Sequence, residues 1–574
     1  MEDTKKTIAL LISGLDDSYS EALCKGVASA CKEEGYNLIV VPGAHVNREG
    51  APGSEHEYAY QFNTMYRYIN SQNVSGLVVA AASLGGYTTK EKMDEFLAGY
   101  KDIPMVLVSA VYEGYTCIKY DNTVGIIDGL NYLADNCGLT KFGVLRGPQG
   151  NPDAIERYQT FLKVMEEHNI PVEDKNVCDV DFSDDNHEAC AAFLEANPDL
   201  EAVFCANDFS ALDLCDEIKK AGKTPGDEIK VFGYDNVQQG AVAEPPLATV
   251  SADPVLLGHE AVSYLLMKIA GQDVQSVDLP ATLIKRDTIG VSSRDYLPSM
   301  PPDAAFDYVF YHFRDNGYEM KKAEVEEKFT KYIAMLKTLT DYVDVTDDDI
   351  ETADELLSEL LDANAIHFAD VDHFINYLEE LQEDCLRHLE TEAMVGLEDI
   401  YQNAFKKILK AVQREMLNKE DENRHKDDKM KHFVETTGGV HRAIDDDYCV
   451  LLSDLEFLHV RNGYIFILKR PMIHGPGQDF TPDNEFMLKA FLQDGSVWPV
   501  DPSMQTVPMD KIFHNDFTGG SRLTMVLLPL FVDKVLYGFV MLELRRRVYP
   551  HCKFLASQLS NSTLSIELMK KQKL

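Results

Sequence analysis

The chain has little positive charge and no long apolar run. It carries 54 Lys and Arg against 95 Asp and Glu, a formal net charge of -41 at pH 7. Phosphate backbones are bound through basic faces, so this balance argues against nucleic acid as a direct partner and against docking on an anionic membrane. The plainest use of the acid is to keep the protein soluble. No apolar stretch approaches the roughly 18 residues of a membrane span. The opening residues Met1–Lys6 lack a basic n-region, an apolar h-region and a cleavage site, so no signal peptide is expected. The 11 cysteines are odd in number, and no C-x-x-C pair occurs. They read as reduced core thiols, and a cytoplasmic location is expected.

Catalytic motifs are missing as well. Ala221-Gly-Lys-Thr224 lacks the earlier glycine of a phosphate loop, since Glu217 stands there, and it ends a helical pattern where such a loop would start one. Gly222 reads as a helix C-cap. His56-Glu57 and His259-Glu260 each lack the second histidine of a zinc protease. No Gly-x-Ser-x-Gly elbow appears. His187 and Cys190 could hold a metal, but two loose ligands on an ordinary helix are more simply surface and core residues. No enzyme, metal or cofactor is expected.

At 574 residues the chain exceeds one core, and about two to four domains are expected. From Thr7 to about Ser293, short apolar runs alternate with amphipathic segments. Strands are predicted at Thr7–Ile12, Tyr36–Val41, Gly76–Ala81, Pro104–Val108, Phe142–Leu145, Ala202–Cys205 and Lys230–Tyr234. Helices are predicted at Ser20–Glu34, Val124–Asn136, Asp153–His168, Asn186–Ala196 and Phe209–Ala221. Continuous apolar strands separated by helices describe an α/β fold with parallel sheets covered on both faces. Such sheets bind ligands at the C-terminal ends of their strands, which directs attention to the loops after Ile12, Ala81, Leu145, Cys205 and Tyr234.

After the proline-rich stretch Tyr296–Pro302, residues 303–427 read as acid-rich helix, with Ala353–Leu361 and Val371–Ala393 the clearest segments. The acidic stretch Asp341–Glu355 is expected to join two of these helices. The charged run beginning at Asn418 reads as a solvated helix face, either a coiled-coil connector or part of a plain bundle. Residues 428–574 turn α/β again. Strands are predicted at Tyr464–Leu468, Phe486–Leu492, Leu523–Pro529 and Val535–Leu544, with turns at Gln493-Asp-Gly495 and Asp533-Lys534. A helix from about Pro550 to Lys573 follows, giving an α+β sensor-type domain.

Six segments, in order, carry a resemblance. They are Leu15-Asp-Asp-Ser-Tyr-Ser20, Tyr120-Asp-Asn-Thr-Val-Gly125, Glu156-Arg-Tyr-Gln-Thr-Phe161, Cys205-Ala-Asn-Asp-Phe-Ser-Ala211, Val231-Phe-Gly-Tyr-Asp-Asn236, and Leu247-Ala-Thr-Val250 with Pro254, Gly258 and Ala261. Together they resemble the periplasmic-binding-protein-like family, which includes ribose-binding proteins and the sensor cores of lac-repressor-type regulators. The resemblance implies a two-lobed ligand-binding domain over residues 1–295. Its lobes would be about 1–119 plus 240–275, and 120–239 plus 276–295, closing on a small polar ligand.

The chemistry agrees with that expectation. A polyol hydroxyl both donates and accepts, so its site needs carboxylates, amides and a guanidinium. Asp121, Arg157, Asn207 and Asp235 supply that set, and Arg157 offers a planar fork for vicinal hydroxyls or a carboxylate. By resemblance, Asp17 lies in the first contact loop, while Tyr19 and Phe182 stack on apolar sugar faces. Asp208 is expected to cap its helix and Gly233 to shape a turn. Ala252 stands where sugar-binding relatives often place glutamine, which argues against a simple pentose or hexose and leaves purines or other small polar metabolites open.

The segment Arg146–Arg157 is similar to clostridial-type signalling proteins in which a ligand-binding domain precedes a helical connector, a GAF-like domain and commonly a diguanylate cyclase (GGDEF) domain. Leu528–Glu543 resembles the closing hairpin of a GAF domain. No Gly-Gly-Asp-Glu-Phe sequence occurs. The expectation is a homodimeric sensor for signal transduction or transcriptional regulation, with a downstream partner or output domain. The other reading is a stand-alone ligand-binding protein with a C-terminal dimerisation module.

Overall fold

The computed structural model describes residues 6–47, 54, 57–149, 151–182, 185–241, 243–290, 297–310, 319–339, 345–388, 391–437, 447–453, 455, 458, 460–478, 480–501, 504–513, 522–544 and 546–572. Two compact units result. One comprises Met1–Tyr120, Asp253–Leu279 and Arg424–Leu574; the other comprises Asp121–Ala252 and Pro280–Asn423.

The first unit is built on a long mixed sheet. Neighbour to neighbour, its strands are Val277–Pro280, Thr116–Asp121, Met105–Val108, Gly76–Val79, Thr7–Ile12, Asn37–Pro42, Thr524–Val532, Val535–Leu542, Gly463–Ile473, Glu485–Gln493 and Ser496–Pro499. Pairing is parallel from Thr116–Asp121 to Thr524–Val532 and antiparallel from there to Ser496–Pro499. The strand Thr7–Ile12 is buried at every residue because both faces of the sheet are covered. Ile8, Leu10 and Ile12 pack with Leu23, Val27 and Leu257 on one face. Ala9 and Leu11 pack with Tyr66, Tyr68 and Leu97 on the other.

The C-terminal strands join this sheet. Thr524, Met525 and Val526 pair in parallel with Leu38, Ile39 and Val40. The Leu38 N–H donates to the Leu523 carbonyl at 3.0 Å, and the Leu523 N–H donates to Asn37 Oδ1 at 3.1 Å. Val526, Leu528 and Val540 enter the same apolar cluster as Ile8 and Leu10, while Phe486, Phe539 and Met541 enter the cluster of Ala9 and Leu11. Each fully buried side chain of this size contributes about 1.5–3 kcal/mol. The hairpin turn predicted at Asp494-Gly495 forms with φ of 50° and 82°.

Helix Ser18–Glu33 crosses helix Pro254–Ile269 within this unit at Gly26 and Gly258. A Cβ on Gly26 would lie 1.9 Å from the Val255 carbonyl oxygen, so only glycine permits the approach.

The second unit carries a six-stranded sheet in the order Thr282–Ile284, Ala248–Ser251, Lys230–Tyr234, Ala202–Cys205, Phe142–Arg146 and Val177–Asp179. All neighbours are parallel except the first pair. Helices Pro152–Glu167, His187–Ala196 and Asp208–Lys220 follow its strands. Asn151 caps the first of these, with proline at its opening turn, and Asn207 caps the third. Asp208 was expected to be that cap. It is instead fully buried at the first position of the helix, and the preceding Asn207 has the extended backbone a cap requires.

The helical segment of this unit comprises Pro302–Val309, Glu319–Thr338, Asp347–Asp362, Val371–His388 and the start of Thr391–Thr437. Phe306, Phe329, Tyr332, Tyr377 and Leu397 share its core. The acidic stretch does not join two helices over its length. Asp347–Glu355 lies inside a helix, because Thr346 and Asp349 form a capping box and three aspartates complement the helix N-terminus. Residues 341–344 lie outside the described residues, as do 389 and 390 of the predicted helix Val371–Ala393.

Candidate functional site

The carboxyl ends of the parallel strands in the second unit gather a polar cluster around Arg157. Helix Pro152–Glu167 begins six residues after strand Phe142–Arg146, and two turns into it Arg157 emerges 8% exposed. Its Nη1 donates to the Ala206 carbonyl at 2.7 Å and lies 3.5 Å from Asp235 Oδ1. Its Nε donates to Asn122 Oδ1 at 3.4 Å, and its guanidinium rests 3.5 Å from the centre of the Tyr234 ring. Asn122 Nδ2 in turn donates to Asp153 Oδ1 at 2.9 Å and Glu156 Oε2 at 2.8 Å. The guanidinium is thereby fixed on three strand ends, in the planar stacked geometry that lysine does not reproduce.

Asp235 sits on strained backbone. Its φ is 104° and that of Asn236 is 51°, both in the region that favours glycine. A second network holds this loop. Asp208 Oδ2 accepts from the Val237 N–H at 2.8 Å, and its Oδ1 accepts from Thr249 Oγ1 at 2.7 Å. Thr249 Oγ1 accepts from the Asn236 N–H at 3.2 Å, and Arg286 Nη2 donates to Asn236 Oδ1 at 2.8 Å. Gly233 lies directly against Asp208; a Cβ there would come 2.2 Å from Oδ1, so the glycine provides close approach to the buried acid.

Electrostatics follow from this crowding. Burial first, then the charge of Asp235, pushes the Asp208 carboxyl up to about 8, against the pull of its two hydrogen bonds and Arg286. Asp235 is pushed up to about 6 by desolvation, with Asp153 adding to the rise and Arg157 opposing it. Its side chain keeps 42% of its surface open, so solvent screens this rise in a way it cannot screen Asp208. The Tyr234 hydroxyl is held well above its ordinary value by burial, with Arg157 lowering it and Asp235, Asp153 and Asp121 raising it.

The expected site residues fall in both units. Arg157 and Asp235 meet directly in the second unit. Asn207 Oδ1 accepts from the Ser210 N–H as helix cap, and its Nδ2 donates to the Phe182 carbonyl at 3.4 Å. The Phe182 ring closes over Gly147, where a Cβ would meet it at 2.2 Å. Asp121 Oδ1 accepts from the N–H and hydroxyl of Thr123 at 2.8 and 2.6 Å. In the first unit, Asp17 Oδ1 caps helix Ser18–Glu33 by accepting from the Ser20 N–H, and the Tyr19 hydroxyl lies 2.7 Å from Ser109 Oγ. Sequence reasoning missed Asn122, Asp153, Tyr234 and Thr249. Asn122 and Tyr234 each adjoin a chosen residue, and Thr249 lies in a quoted segment, which is the only signal they offered.

His187, weighed as a metal ligand, instead has Nδ1 2.9 Å from Glu217 Oε1 and Nε2 3.5 Å from Asp213 Oδ1. Among the described residues, no group of three or more His, Cys, Asp or Glu could hold a metal ion, and no helix is long and apolar enough to cross a membrane.

The parallel sheet carries a guanidinium, amides and carboxylates at its strand ends, and residues 131–289 match the family model described as a periplasmic binding protein-like domain. This stretch of the chain is thus similar to a periplasmic binding protein-like domain. The HTH-type transcriptional repressor PurR of Histophilus somni (strain 129Pt) is 26% identical over 292 residues, covering 50% of this chain and 82% of the relative. The PurR of Vibrio vulnificus (strain CMCP6) is 27% identical over the same shares. Among solved structures, the regulator CelR–cellobiose complex is 22% identical with a TM-score of 0.39, covering 50% of this chain and 84% of that one. The lac repressor bound to ONPG is 23% identical with a TM-score of 0.41, covering 50% and 82%.

These relatives are named transcriptional regulators, not enzymes. They also correct one expectation. The scarcity of positive charge sets nucleic acid aside as a direct partner, yet the curated relatives are named HTH-type transcriptional repressors. The physical reason is that a net charge of -41 averages the whole surface and does not describe the local face on which phosphate binding depends.

Proposed function

We propose that the chain is a small-molecule sensor whose Arg157-centred cluster takes a polar, sugar-like or nucleoside-like ligand and whose output is regulatory. The observation that carries this reading is Arg157 itself, nearly buried, braced by Ala206 and Tyr234, and presented beside Asp235 at the strand ends. Asp121, Phe182 and Asn207 contribute further contacts on this reading, with Asp17 and Tyr19 supplied by the first-unit loop. Ligand acts by its differential affinity for one conformer of the domain. The signal travels through the helices of 303–427 to a GAF-like region over 428–574, in a homodimer, with the ligand-binding domain spanning 1–295. The names of the relatives support transcriptional regulation as the output.

A second reading has its own support. Thr524–Val532 extends the sheet of the first unit, which suits a stand-alone binding protein whose C-terminal region is part of its framework. Thermal-shift screening with sugars, nucleosides and amino acids separates the two when combined with hydrogen exchange over 303–437. A stabilising ligand whose effect vanishes in Arg157→Ala and Asp235→Ala supports binding at the cluster, and turnover of that ligand would sink the non-enzyme reading. Unchanged exchange in the helices on ligand addition would favour the stand-alone protein.

A further inference from the structure

Beneath Arg157, the Tyr234 side chain is fully buried, and among the described residues its hydroxyl has no hydrogen-bond partner. A buried hydroxyl left unpaired is costly relative to a phenyl ring of the same shape. The ring's task of supporting the guanidinium at 3.5 Å requires no hydroxyl, since a phenylalanine face would serve. The groups whose charges act on this hydroxyl are Arg157, Asp235, Asp153 and Asp121, three of them carboxylates that accept hydrogen bonds and cannot donate when ionised. The next residue, Asp235, has a side chain 42% exposed.

A ligand hydroxyl suits both sides of this arrangement, because its oxygen accepts from the phenol while its hydrogen is donated to a carboxylate. We propose that Tyr234 is a specificity-determining contact, its hydroxyl donating to a hydroxyl oxygen of a neutral polyhydroxylated ligand. This rests on the sensor reading above. A site built to bond a hydroxyl rejects the analogue lacking it far more strongly than an apolar pocket discriminates by size.

The test uses the full chain as wild type and Tyr234→Phe. Thermal unfolding without ligand comes first, then calorimetric titration with D-ribose, D-glucose and adenosine, and with single-deoxy analogues of whichever probe binds. The expected result is an unliganded melting temperature for Tyr234→Phe equal to or above that of wild type. Affinity for the bound probe falls at least about tenfold, and one deoxy analogue binds both proteins equally. A drop of several degrees in the unliganded variant would show the hydroxyl bonded within the protein and overturn the proposal. Undiminished binding by Tyr234→Phe overturns it alone and leaves the sensor reading standing. If wild type binds none of the probes, the sensor reading for these ligand classes fails and takes the contact with it.

Discussion

The two sheets of this protein use similar strands for different ends. In the first unit, the polar residues chosen as ligand contacts have bonds within the unit: Asp17 caps a helix and Tyr19 reaches Ser109. In the second unit, the strand ends hold a buried guanidinium, an acid pushed up to about 8, strained backbone at Asp235, and a phenol without a hydrogen-bond partner among the described residues. Such departures from ordinary packing persist only where the surroundings over-determine them, and they gather at binding sites. The first sheet is spent on framework, since its Asn37–Pro42 side is continued by strands from the far end of the chain. The second gathers its buried charge and strained backbone at its strand ends.

The largest expected effect breaks the framework. Val526→Asp places a charge in the fully buried joint between Thr524–Val532 and Asn37–Pro42. A loss of about 3–5 kcal/mol is expected, enough to unfold much of the chain, as read by urea denaturation. A variant with an unchanged midpoint would contradict the shared sheet. Arg157→Ala acts on the other side of the comparison. It strands the Ala206 carbonyl and exposes the Tyr234 ring, costing about 2–3 kcal/mol and abolishing any ligand-induced rise in melting temperature.

A pH series sharpens the contrast further. The folded-state value of Asp208 is raised, so the native state holds a proton that the unfolded chain releases near pH 4. The stability associated with that proton is fully present below about pH 4 and is lost as pH rises through about 8. Asp208→Asn keeps the shape and removes the titration. Its stability curve should be flatter than that of wild type between those limits, and parallel curves would show that Asp208 does not titrate there. The smallest effect is Asp17→Ala, which removes a cap worth about 1 kcal/mol. If the cap is its whole role, ligand affinity is untouched; a parallel loss of affinity would make Asp17 a contact as proposed.

Much of this was legible in the sequence where the signal was local. Thr7–Ile12, Ala202–Cys205 and Lys230–Tyr234 are apolar runs between turns, and the structure places strands over the same residues. Thr116–Asp121 and Ala248–Ser251 went unseen because Lys119, Thr249 and Ser251 interrupt any apolar run. The joint of Thr524 with Leu38 was invisible for a different reason: a parallel pairing across nearly 500 residues leaves no local mark. At the site, Arg157 and Asp235 could be chosen from their chemistry. The role of Asp208 could not, because helix capping and burial behind a glycine look alike until the sheet is assembled.

Hydrogen exchange with and without a stabilising ligand tests the central claim most directly, because it locates binding along the chain. Slowed exchange at the amides of Ala206–Asp208 and Tyr234–Val237 is the result predicted for a ligand seated on the Arg157 cluster. A ligand that stabilises the protein yet leaves those amides unchanged, with protection confined to other segments, would contradict it.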